Sequence, residues 1–443
     1  MVDLAERASA DEVPEGYGMT ELGLLPEDWR VMRLSEIGRQ FFGGGTPSSK
    51  VPEYWGGDIP WTTSAAISGL RLDRGVRQIS ATGLSHSSAR VVPAGNLLIG
   101  TRVGVGKAAI NEKDMAISQD LTGMVVDREL ADVLFLAYAL LSAPIQQRFQ
   151  LGARGSTIKG IPRDDLIRMP IPLPPLPEQR AIAHVLSTVQ RAREATEAVI
   201  ASTRELKRSL MRHLFTYGPV PVDQVAGVRL KETEIGLVPE QWDVVPLGNL
   251  IACGPQNGLY KPHSSYGAGR PIIRIDDFSN EGEVLRHVRH RVELDEAETE
   301  KYEVKPNDIL INRVNSLSHL GKVALIPNGL ESTVFESNMM RFSVASPMLP
   351  EYMFRFLTSA AARHHLRGKA KRAVAQSSIN QGDVASTPVP VPPPKEQLCI
   401  ARVLSDTDRK IAAEVDMQDA LAKLFTVILG YLLTGSLRGQ VTS

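Results

Sequence analysis

The stretch IPLPPLPEQRAIAHVLS at Ile171–Ser187 returns later in the chain as VPVPPPKEQLCIARVLS at Val389–Ser405. Two earlier stretches repeat in the same order: TELGLLPEDWRVMRL begins at Thr20, and TEIGLVPEQWDVVPL begins at Thr233. Self-similarity of this kind is the sequence signature of a repeated architecture. The sequence therefore predicts an internal two-fold repeat, in which each copy has an opening segment, a globular part and a proline-rich joint.

A long helix is predicted after each joint. Alternating prolines exclude helix within the joint and favour an extended segment, whereas no proline or glycine occurs between Pro177 and Thr216. Apolar residues recur there at heptad spacing, which is typical of helices that pair as a coiled coil. The alternative is that each helix packs only on its own globular domain. The predicted interface positions are Ile182, Val185, Val189, Val199, Leu206 and Leu210 in the first helix, and Ile400, Val403, Leu421, Leu424 and Ile428 in the second.

Composition narrows the class of protein. The 443 residues contain 50 Lys and Arg and 50 Asp and Glu, so a uniformly basic nucleic-acid binder is excluded, although segregated charge is not. Only two cysteines occur, Cys253 and Cys399, which argues against a disulfide scaffold or a cysteine-rich zinc site. The acidic N-terminus has no apolar signal region, and no apolar run is long enough to span a bilayer. We expect a cytoplasmic protein of several domains, with no membrane contact.

The basic residues are concentrated at equivalent places in the two copies. Neither Val133–Arg163 nor Tyr352–Gly382 contains an acidic residue, and both contain several arginines and lysines. One such run is usually only a solvated surface, but two in equivalent positions favour a surface that binds a polyanion.

Polar side chains that can read base edges cluster in corresponding segments of the copies. Arg and Lys pair with guanine, and Asn and Gln pair with adenine; the alternative for each residue is ordinary turn chemistry. The candidate DNA-binding residues of the first copy are Thr46, Ser48, Ser49, Trp61, Thr62, Thr63, Arg102, Lys107, Gln119, Arg154, Ser156, Thr157 and Lys159. Those of the second copy are Asn257, Tyr260, Lys261, Arg270, Arg274, Arg313, Asn315, Lys322, Asn338, Lys369, Lys371, Arg372, Ser378 and Asn380.

No catalytic or metal-binding motif is recognisable. The segment VGVGKA at 103–108 resembles a phosphate-binding loop, but its first glycine would fall at Thr101 and Ala108 replaces the residue that would bind magnesium. The histidines have no metal-ligand spacing. We predict no catalytic residue and no metal ligand in this chain, and an active site of unfamiliar type is the alternative.

The repeated motifs resemble those of the specificity subunit of type I restriction–modification systems. The resemblance rests on GLxPExW at Gly23–Trp29 and Gly236–Trp242, on GGTPS followed by YWGGDIPW within Gly44–Trp61, on the PEQ joint with its echo, and on the closing Leu433–Gly435. It covers nearly all of the chain beyond the first 16 residues. The second copy departs from the pattern, because it has no GGTPS.

The resemblance implies an α+β fold in which two mixed α/β target recognition domains alternate with two long helices that pair as an antiparallel coiled coil. The implied divisions are a disordered acidic tail at 1–16, recognition domains at 17–177 and 219–395, and helices at 178–218 and 396–443. It also implies a non-catalytic subunit that reads a split, asymmetric sequence in double-stranded DNA, one domain per half-site. Two methyltransferase subunits and restriction subunits would be its partners. S-adenosylmethionine would bind the former and ATP and Mg the latter, which leaves no cofactor on this chain.

Three other interpretations stay open at this point. The chain could serve a modification-only or fused restriction system, which the sequence does not distinguish. It could be a coiled-coil adaptor that binds proteins without DNA specificity, although the acid-free basic windows weigh against this. A stand-alone nuclease is disfavoured, because no carboxylate cluster with a following lysine recurs in both copies.

Overall fold

The computed structural model describes residues 13–155, 159–279, 282, 284, 288–316, 319–372 and 377–438. The chain divides into two compact units, here called unit 1 and unit 2. Unit 1 draws on Met1–Glu197 and Asp416–Ser443, and unit 2 is Ala198–Val415. Both divisions fall inside the long helices rather than at their ends.

Unit 1 combines short strands with a few helices. Its strands are β1 Tyr17–Thr20, β2 Gly23–Pro26, β3 Arg30–Arg33, β4 Gly38–Gly43, β5 Trp55–Thr62, β6 Arg71–Leu72, β7 Arg77–Ile79, β8 Arg90–Val92, β9 Leu97–Gly100, β10 Ala108–Asn111, β11 Met115–Ile117, β12 Leu121–Val126 and β13 Pro170–Leu173. Its helices are α1 Leu34–Ile37, α2 Ala81–Ser85, α3 Val133–Leu141, α4 Ala143–Gly152, α5 Arg163–Ile167 and the first part of α6 Leu176–Tyr217.

Unit 2 has a similar, but not identical, order of elements. Its strands are β14 Leu230–Thr233, β15 Gly236–Pro239, β16 Asp243–Pro246, β17 Ile251–Asn257, β18 Tyr266–Ile273, β19 Arg291–Val292, β20 Ile309–Asn312, β21 Val314–Asn315, β22 Val323–Leu325, β23 Val334–Phe335, β24 Met339–Val344, β25 Lys371–Arg372, β26 Ser377–Ser378 and β27 Pro388–Val391. Its helices are α7 Glu296–Tyr302, α8 Pro350–Leu357, α9 Ala360–Gly368, α10 Gln381–Ala385 and the first part of α11 Pro394–Leu433.

The two units share the central strands of one sheet topology, which confirms the predicted repeat, although each of these sheets has one strand fewer in unit 2. The first sheet has the order β4-β12-β9-β10-β6 in unit 1 and β17-β24-β20-β22 in unit 2. The second has the order β7-β5-β11-β8 and β19-β18-β23. In each second sheet the long strand runs parallel to a short one, β5 to β11 and β18 to β23, and antiparallel to the other neighbour. Side chains at the ends of these parallel strands therefore meet at one edge.

The proline-rich joints are strands. β13 pairs antiparallel with β3, and β27 pairs antiparallel with β16, so the joint of each copy lies against its own opening segment. Proline cannot donate a ladder hydrogen bond and is tolerated in edge strands. A two-stranded pair consists only of edge strands, which explains how the alternating prolines of Pro170–Leu173 and Pro388–Val391 fit.

The first turn of each long helix is fixed by a glutamate and a glutamine. The indole Nε1 of Trp29 donates to Glu178 Oε2 at 3.2 Å, and that of Trp242 donates to Glu396 Oε2 at 2.9 Å. The glutamines that follow are 0% and 1% exposed. Gln397 accepts from the Leu349 amide at 2.8 Å and donates to the Pro392 carbonyl at 2.9 Å. The motifs quoted from the sequence thus hold helix, joint and opening segment together.

Gln179 plays the same role in unit 1. It accepts from the Asp132 amide at 2.8 Å and donates to the carbonyls of Pro174 at 2.8 Å and Leu130 at 3.1 Å. Because α3 begins directly after Asp132, this glutamine ties the start of α6 to the start of α3.

The two long helices run antiparallel within each unit. In unit 1 Glu178 binds Arg438 beyond the end of α11, at 3.0 Å, while Arg193 lies over the Phe425 ring at 5.4 Å. In unit 2 Lys207 forms an ion pair with Asp408, and Leu214 packs in one core with Ile400. In the part of the chain that the structure describes, no helix combines the length and the apolar character that a membrane span requires.

The buried seam of the helices corrects part of the heptad prediction. Val185, Val199, Leu206 and Leu424 are exposed by 38–54%, so their placement in the interface is wrong. Ile182, Val189, Leu210, Ile400, Leu421 and Ile428 are buried or half-buried, and Val403 packs half-buried on the core of unit 2. In each helix a row of buried and half-buried positions recurs at alternating spacings of four and three residues. In α6 these are Ile182, Leu186, Val189, Arg193, Thr196, Ile200, Thr203, Lys207, Leu210 and Leu214. In α11 they are Ile400, Leu404, Thr407, Ile411, Glu414, Gln418, Leu421, Phe425, Ile428 and Leu432.

We predict that Gln397→Ala destabilises the chain. The substitution leaves the buried Leu349 amide and Pro392 carbonyl without their partner, at about 1–3 kcal/mol for each group. The midpoint of urea unfolding should fall, whereas Gln224→Ala, an exposed glutamine of the same unit, should leave it unchanged. Equal midpoints for the two variants would show that the buried glutamine is dispensable.

Candidate nucleic-acid interface

The polar loops of unit 1 meet where the parallel strands β5 and β11 end. The Asp120 carboxylate accepts from the Ser64 amide at 2.9 Å and its hydroxyl at 2.5 Å, and the Asp120 carbonyl accepts from the Thr101 amide at 2.9 Å. Three loops, which follow β5, β9 and β11, are therefore joined at one aspartate. Asp120 thus has a structural role, and the sequence-based list of contacts omitted it while including its neighbour Gln119.

Exposed candidates surround Asp120. Thr46 donates its hydroxyl hydrogen to Gln119 Oε1 at 2.6 Å, and both side chains are exposed. Arg102 and Arg154 each form a β-bridge with Gly160, which places Arg154 and Gly160 beside Arg102. The structure thus brings together Thr46, Arg102, Gln119, Arg154 and the exposed Lys159, and their position at one surface is what a reader of base edges needs.

Unit 2 places a different set of side chains on the same frame. Here Glu336 holds the loop after β18, because it accepts from the Ile275 amide at 3.0 Å and from Arg274 Nε at 3.2 Å. The Arg313 amide donates to the Asn338 carbonyl at 2.9 Å. Strand β21 pairs with β26, which also pairs with β25, so Asn315, Ser378 and Lys371 share one small sheet beside these loops.

A glycine lets the first loop of each unit approach the strand beneath it. A Cβ on Gly44 would lie 2.1 Å from the Ser118 carbonyl oxygen, and one on Gly258 would lie 2.2 Å from that of Glu336. Backbone at that distance leaves no room for a side chain. The GGTPS segment of the first copy and the NGLYK segment of the second are therefore equivalent loops.

The lysines of the two Gly-Lys turns have internal partners. Lys107 Nζ donates to the carbonyls of Ile67 at 2.9 Å and Ser64 at 3.4 Å. Lys322 Nζ donates to the Ile275 carbonyl at 3.1 Å and also to that of Phe278. Each ammonium group thus closes the loop that follows the long parallel strand. We correct their assignment as DNA-binding residues: in both units this lysine holds the loop in place.

The comparisons with known proteins agree with this geometry. The family model described as "Type I restriction modification DNA specificity domain" matches residues 26–202 and 239–422. The chain belongs to this family. The match occurs twice, once in each copy of the repeat.

Relatives and a solved structure extend the match to nearly the whole chain. The chain is 32% identical to a putative type I restriction enzyme MjaX specificity subunit of Methanocaldococcus jannaschii, over 96% of this chain and 97% of the relative. It is 24% identical to the type I restriction enzyme EcoKI specificity subunit of Escherichia coli, over 95% and 91%. The crystal structure of an S subunit from M. genitalium has the same fold, with a TM-score of 0.58, 16% identity and coverage of 91% and 96%.

Several predicted contacts of this specificity subunit are structural. Trp61 and Thr62 are 6% and 0% exposed, and the Trp61 indole donates to the Gly45 carbonyl at 2.9 Å, so both lie beneath the loop rather than on it. Asn380 caps the N-terminus of α10 by accepting from the Asp383 amide at 2.9 Å. Lys261 forms an ion pair of 2.7 Å with Glu298. For these residues, burial, turn chemistry or an internal ion pair accounts for the polar side chain.

Other candidates remain available to a ligand. Those at exposed or half-exposed positions are Ser48, Ser49, Thr63, Asn257, Tyr260, Arg270, Arg313, Asn315, Asn338, Lys369, Lys371 and Ser378. Arg274 and Arg154 form ion pairs with Glu336 and Asp165, as Lys261 does with Glu298. Ser156 and Thr157 lie outside the described residues, and so does the side chain of Arg372. The acid-free windows are only partly surface, because Arg355 is buried and binds both Glu351 and Asp408.

Tyr266 of unit 2 is a partly buried tyrosine with Glu336 and Arg274 beside it. Burial, reinforced by the nearby Glu336 carboxylate, raises the pKa of the Tyr266 hydroxyl above its ordinary value. The raised pKa therefore keeps the hydroxyl protonated to a more alkaline pH than in an ordinary tyrosine. Arg274 lies over the same ring, 5.9 Å from its centroid.

One group of side chains in unit 2 has the spacing of metal ligands. Asp276, Asp277 and His290 can place one ligand atom each within 4.8 Å of one another. However, Arg289 donates to the Asp276 carbonyl at 2.8 Å and lies 3.4 Å from the Asp277 carboxylate. A guanidinium already compensates this charge, so the group gives no support to a metal site.

We predict that Lys107→Met lowers stability without changing DNA binding, whereas Arg102→Ala weakens DNA binding without changing stability. Loss of the Lys107 ammonium leaves the Ile67 carbonyl without its donor. This should lower stability by about 1–3 kcal/mol and leave the salt dependence of DNA binding unchanged. Arg102 is exposed, so its truncation should leave stability unchanged and reduce the slope of log affinity against log salt by about 1. Urea unfolding and DNA titrations at several salt concentrations measure both quantities. A changed slope for Lys107→Met would restore it as a phosphate contact.

Proposed function

We propose that this specificity subunit reads a split, asymmetric sequence in double-stranded DNA, with one unit per half-site, and that it performs no chemistry itself. The observation that carries the proposal is the reading surface, which is built twice on one scaffold. In each unit this surface lies where the long parallel strand ends. A lysine donates to carbonyls of the loop that follows the strand, and a carboxylate, that of Asp120 or Glu336, accepts from an amide of the same loop.

The side chains presented on that scaffold differ between the units. Matching backbone hydrogen bonds show which positions of the two copies are equivalent. Thr46 corresponds to Tyr260, Gln119 to Ser337 and Arg102 to Val314. Because direct readout depends on the donors and acceptors that reach the base edges, the same frame with different side chains supports two different half-sites. An adaptor that bound one kind of protein twice would have no need for this divergence at a shared polar edge.

The partners belong to the same proposal. Family membership supports assembly with two methyltransferase subunits and with restriction subunits in the cytoplasm. Methyl transfer from S-adenosylmethionine and ATP- and Mg-dependent cleavage would take place on those subunits. This chain would supply only the recognition of the target sequence.

Modified-base sequencing tests the proposal. DNA from cells that express this chain with its neighbouring methyltransferase gene should contain a new two-part methylated motif with a fixed gap, which is absent when the methyltransferase is expressed alone. If no new motif appears although the two proteins are soluble and associated, the adaptor interpretation takes its place.

We predict that single substitutions relax one half of the motif only. Gln119→Ala in unit 1 and Asn338→Ala in unit 2 each remove an amide at the reading edge, where a good base contact provides about 1–3 kcal/mol of discrimination. The same sequencing should show degeneracy in one half-site for Gln119→Ala and in the other for Asn338→Ala. Loosening of both half-sites by one variant would contradict the assignment of one unit to one half-site.

A further inference from the structure

An exposed arginine of unit 1, absent from the DNA-binding residues predicted from the sequence, stacks on a tryptophan. The guanidinium carbon of Arg77 lies 3.6 Å from the centroid of the Trp55 ring. That ring is half-buried and packs at right angles against Trp61, with 5.4 Å between the ring centroids. Because a guanidinium stacks face to face on an aromatic ring, the held ring of Trp55 fixes the orientation of the arginine.

The stack belongs to the reading surface of unit 1. Trp55 Nε1 donates to the Ser48 carbonyl at 3.1 Å, in the loop that also carries Thr46. In the pairing of β5 with β7, the Cα of Arg77 lies opposite that of Trp61. Strand β5 ends one residue after Trp61, so Arg77 lies at the end of this strand where the loops of the reading surface begin.

The N–H groups of the Arg77 guanidinium are available to a ligand. The side chain is exposed, and it forms no ion pair and no hydrogen bond with any residue that the structure describes. Stacking occupies a face of the guanidinium plane, whereas its donors lie within the plane. Stacking also removes side-chain freedom that binding would otherwise have to remove. The arginine is therefore preorganised for a planar ligand with two acceptors.

The equivalent position in unit 2 holds a histidine with an internal contact. The bulged pairing of β18 with β19 repeats that of β5 with β7, so Tyr266 corresponds to Trp55 and His290 to Arg77. His290 Nδ1 lies 3.6 Å from the carboxylate of Asp277, which is 0% exposed. An aromatic ring is thus common to the two units, whereas the side chain at the position of Arg77 differs.

We propose that Arg77, held on the Trp55 ring, recognises a guanine in the half-site of unit 1, an inference that rests on the proposed function. Its planar fork donates to the O6 and N7 atoms of guanine, the acceptor pair that arginine selects among base edges. Phosphate is the alternative ligand, but a lysine binds it as a point charge without any aromatic support. The DNA backbone is also the same in both half-sites, whereas Arg77 and His290 differ.

The test compares the methylation motifs produced by the full-length chain together with its neighbouring methyltransferase. Arg77→Lys keeps the charge but removes the fork. Modified-base sequencing should show that one G·C position becomes degenerate, with at least about tenfold less preference for guanine. This position should lie in the half-site that Gln119→Ala relaxes, and the other half-site should be unchanged. The control Arg128→Lys changes an exposed arginine beside Gly95, at the opposite end of β9 from the reading surface, and should retain the motif.

The possible outcomes separate the inference from the function on which it rests. If the wild-type chain produces no new motif, the proposed function fails and the inference fails with it. If the wild-type motif appears and Arg77→Lys leaves every position unchanged, Arg77 does not read a base. If Arg77→Ala then lowers the slope of log affinity against log salt by about 1, the arginine binds phosphate instead.

Urea unfolding provides the remaining control. Because the Arg77 side chain is exposed and forms no hydrogen bond among the described residues, Arg77→Lys should unfold at the same midpoint as the wild type. A lower midpoint would show that the stack serves the stability of unit 1. This result, an unchanged motif or a changed base in the other half-site would each overturn the proposal.

Discussion

Two contacts at the start of each long helix govern the rest of the structure. A half-buried glutamate binds the opening segment, and the buried glutamine beside it binds the joint and the segment that leads into α3 or α8. Glu178 and Glu396 receive the indole hydrogens of Trp29 and Trp242, and the glutamine beside each is satisfied entirely by main-chain groups. An unpaired amide at that depth would cost more than its hydrogen bonds return. The contacts therefore fix where each long helix begins and how it leaves its domain, and this explains why the tryptophan and the Glu-Gln pair recur together.

The contacts that hold the loops in place and the side chains that would contact DNA can vary independently, because they use different atoms. Loop positions are fixed by main-chain carbonyls bound to Lys107 or Lys322 and by an acid that accepts main-chain amides, Asp120 or Glu336. These bonds place no demand on the side chains that point outward. A duplicated domain can therefore diverge at its reading edge, as Thr46 and Tyr260 have done, while the lysine and its carbonyl partners beneath are kept.

The sequence predicted what depends on repetition and on backbone chemistry. The duplication, the extended joints and both helices follow from repeated motifs and from proline, whose effects are local. The phase of the helix seam could not be predicted, because apolar residues are adjacent at Val185 and Leu186 and at Val199 and Ile200. Nor does the sequence show which charged residues lie on the seam. Lys207 lies there because Asp408 neutralises its charge. Lys107 resembled a phosphate contact because sequence does not show an internal acceptor.

The ends of the two helices show how one geometry is obtained by different bonds. In unit 2 the end of α6 continues directly through residues 218–229 into the opening hairpin. In unit 1 the end of α11 meets the hairpin from the opposite end of the chain, and Arg438 bridges Glu178 at 3.0 Å and Asp28 at 2.5 Å. These carboxylates raise the pKa of Arg438 further above its ordinary value, so its charge is constant. Because Arg438 is partly exposed, the ion pairs contribute modestly. Packing of Leu429, Leu432 and Leu433 in one core with Leu25 and Trp29 provides the rest of the attachment.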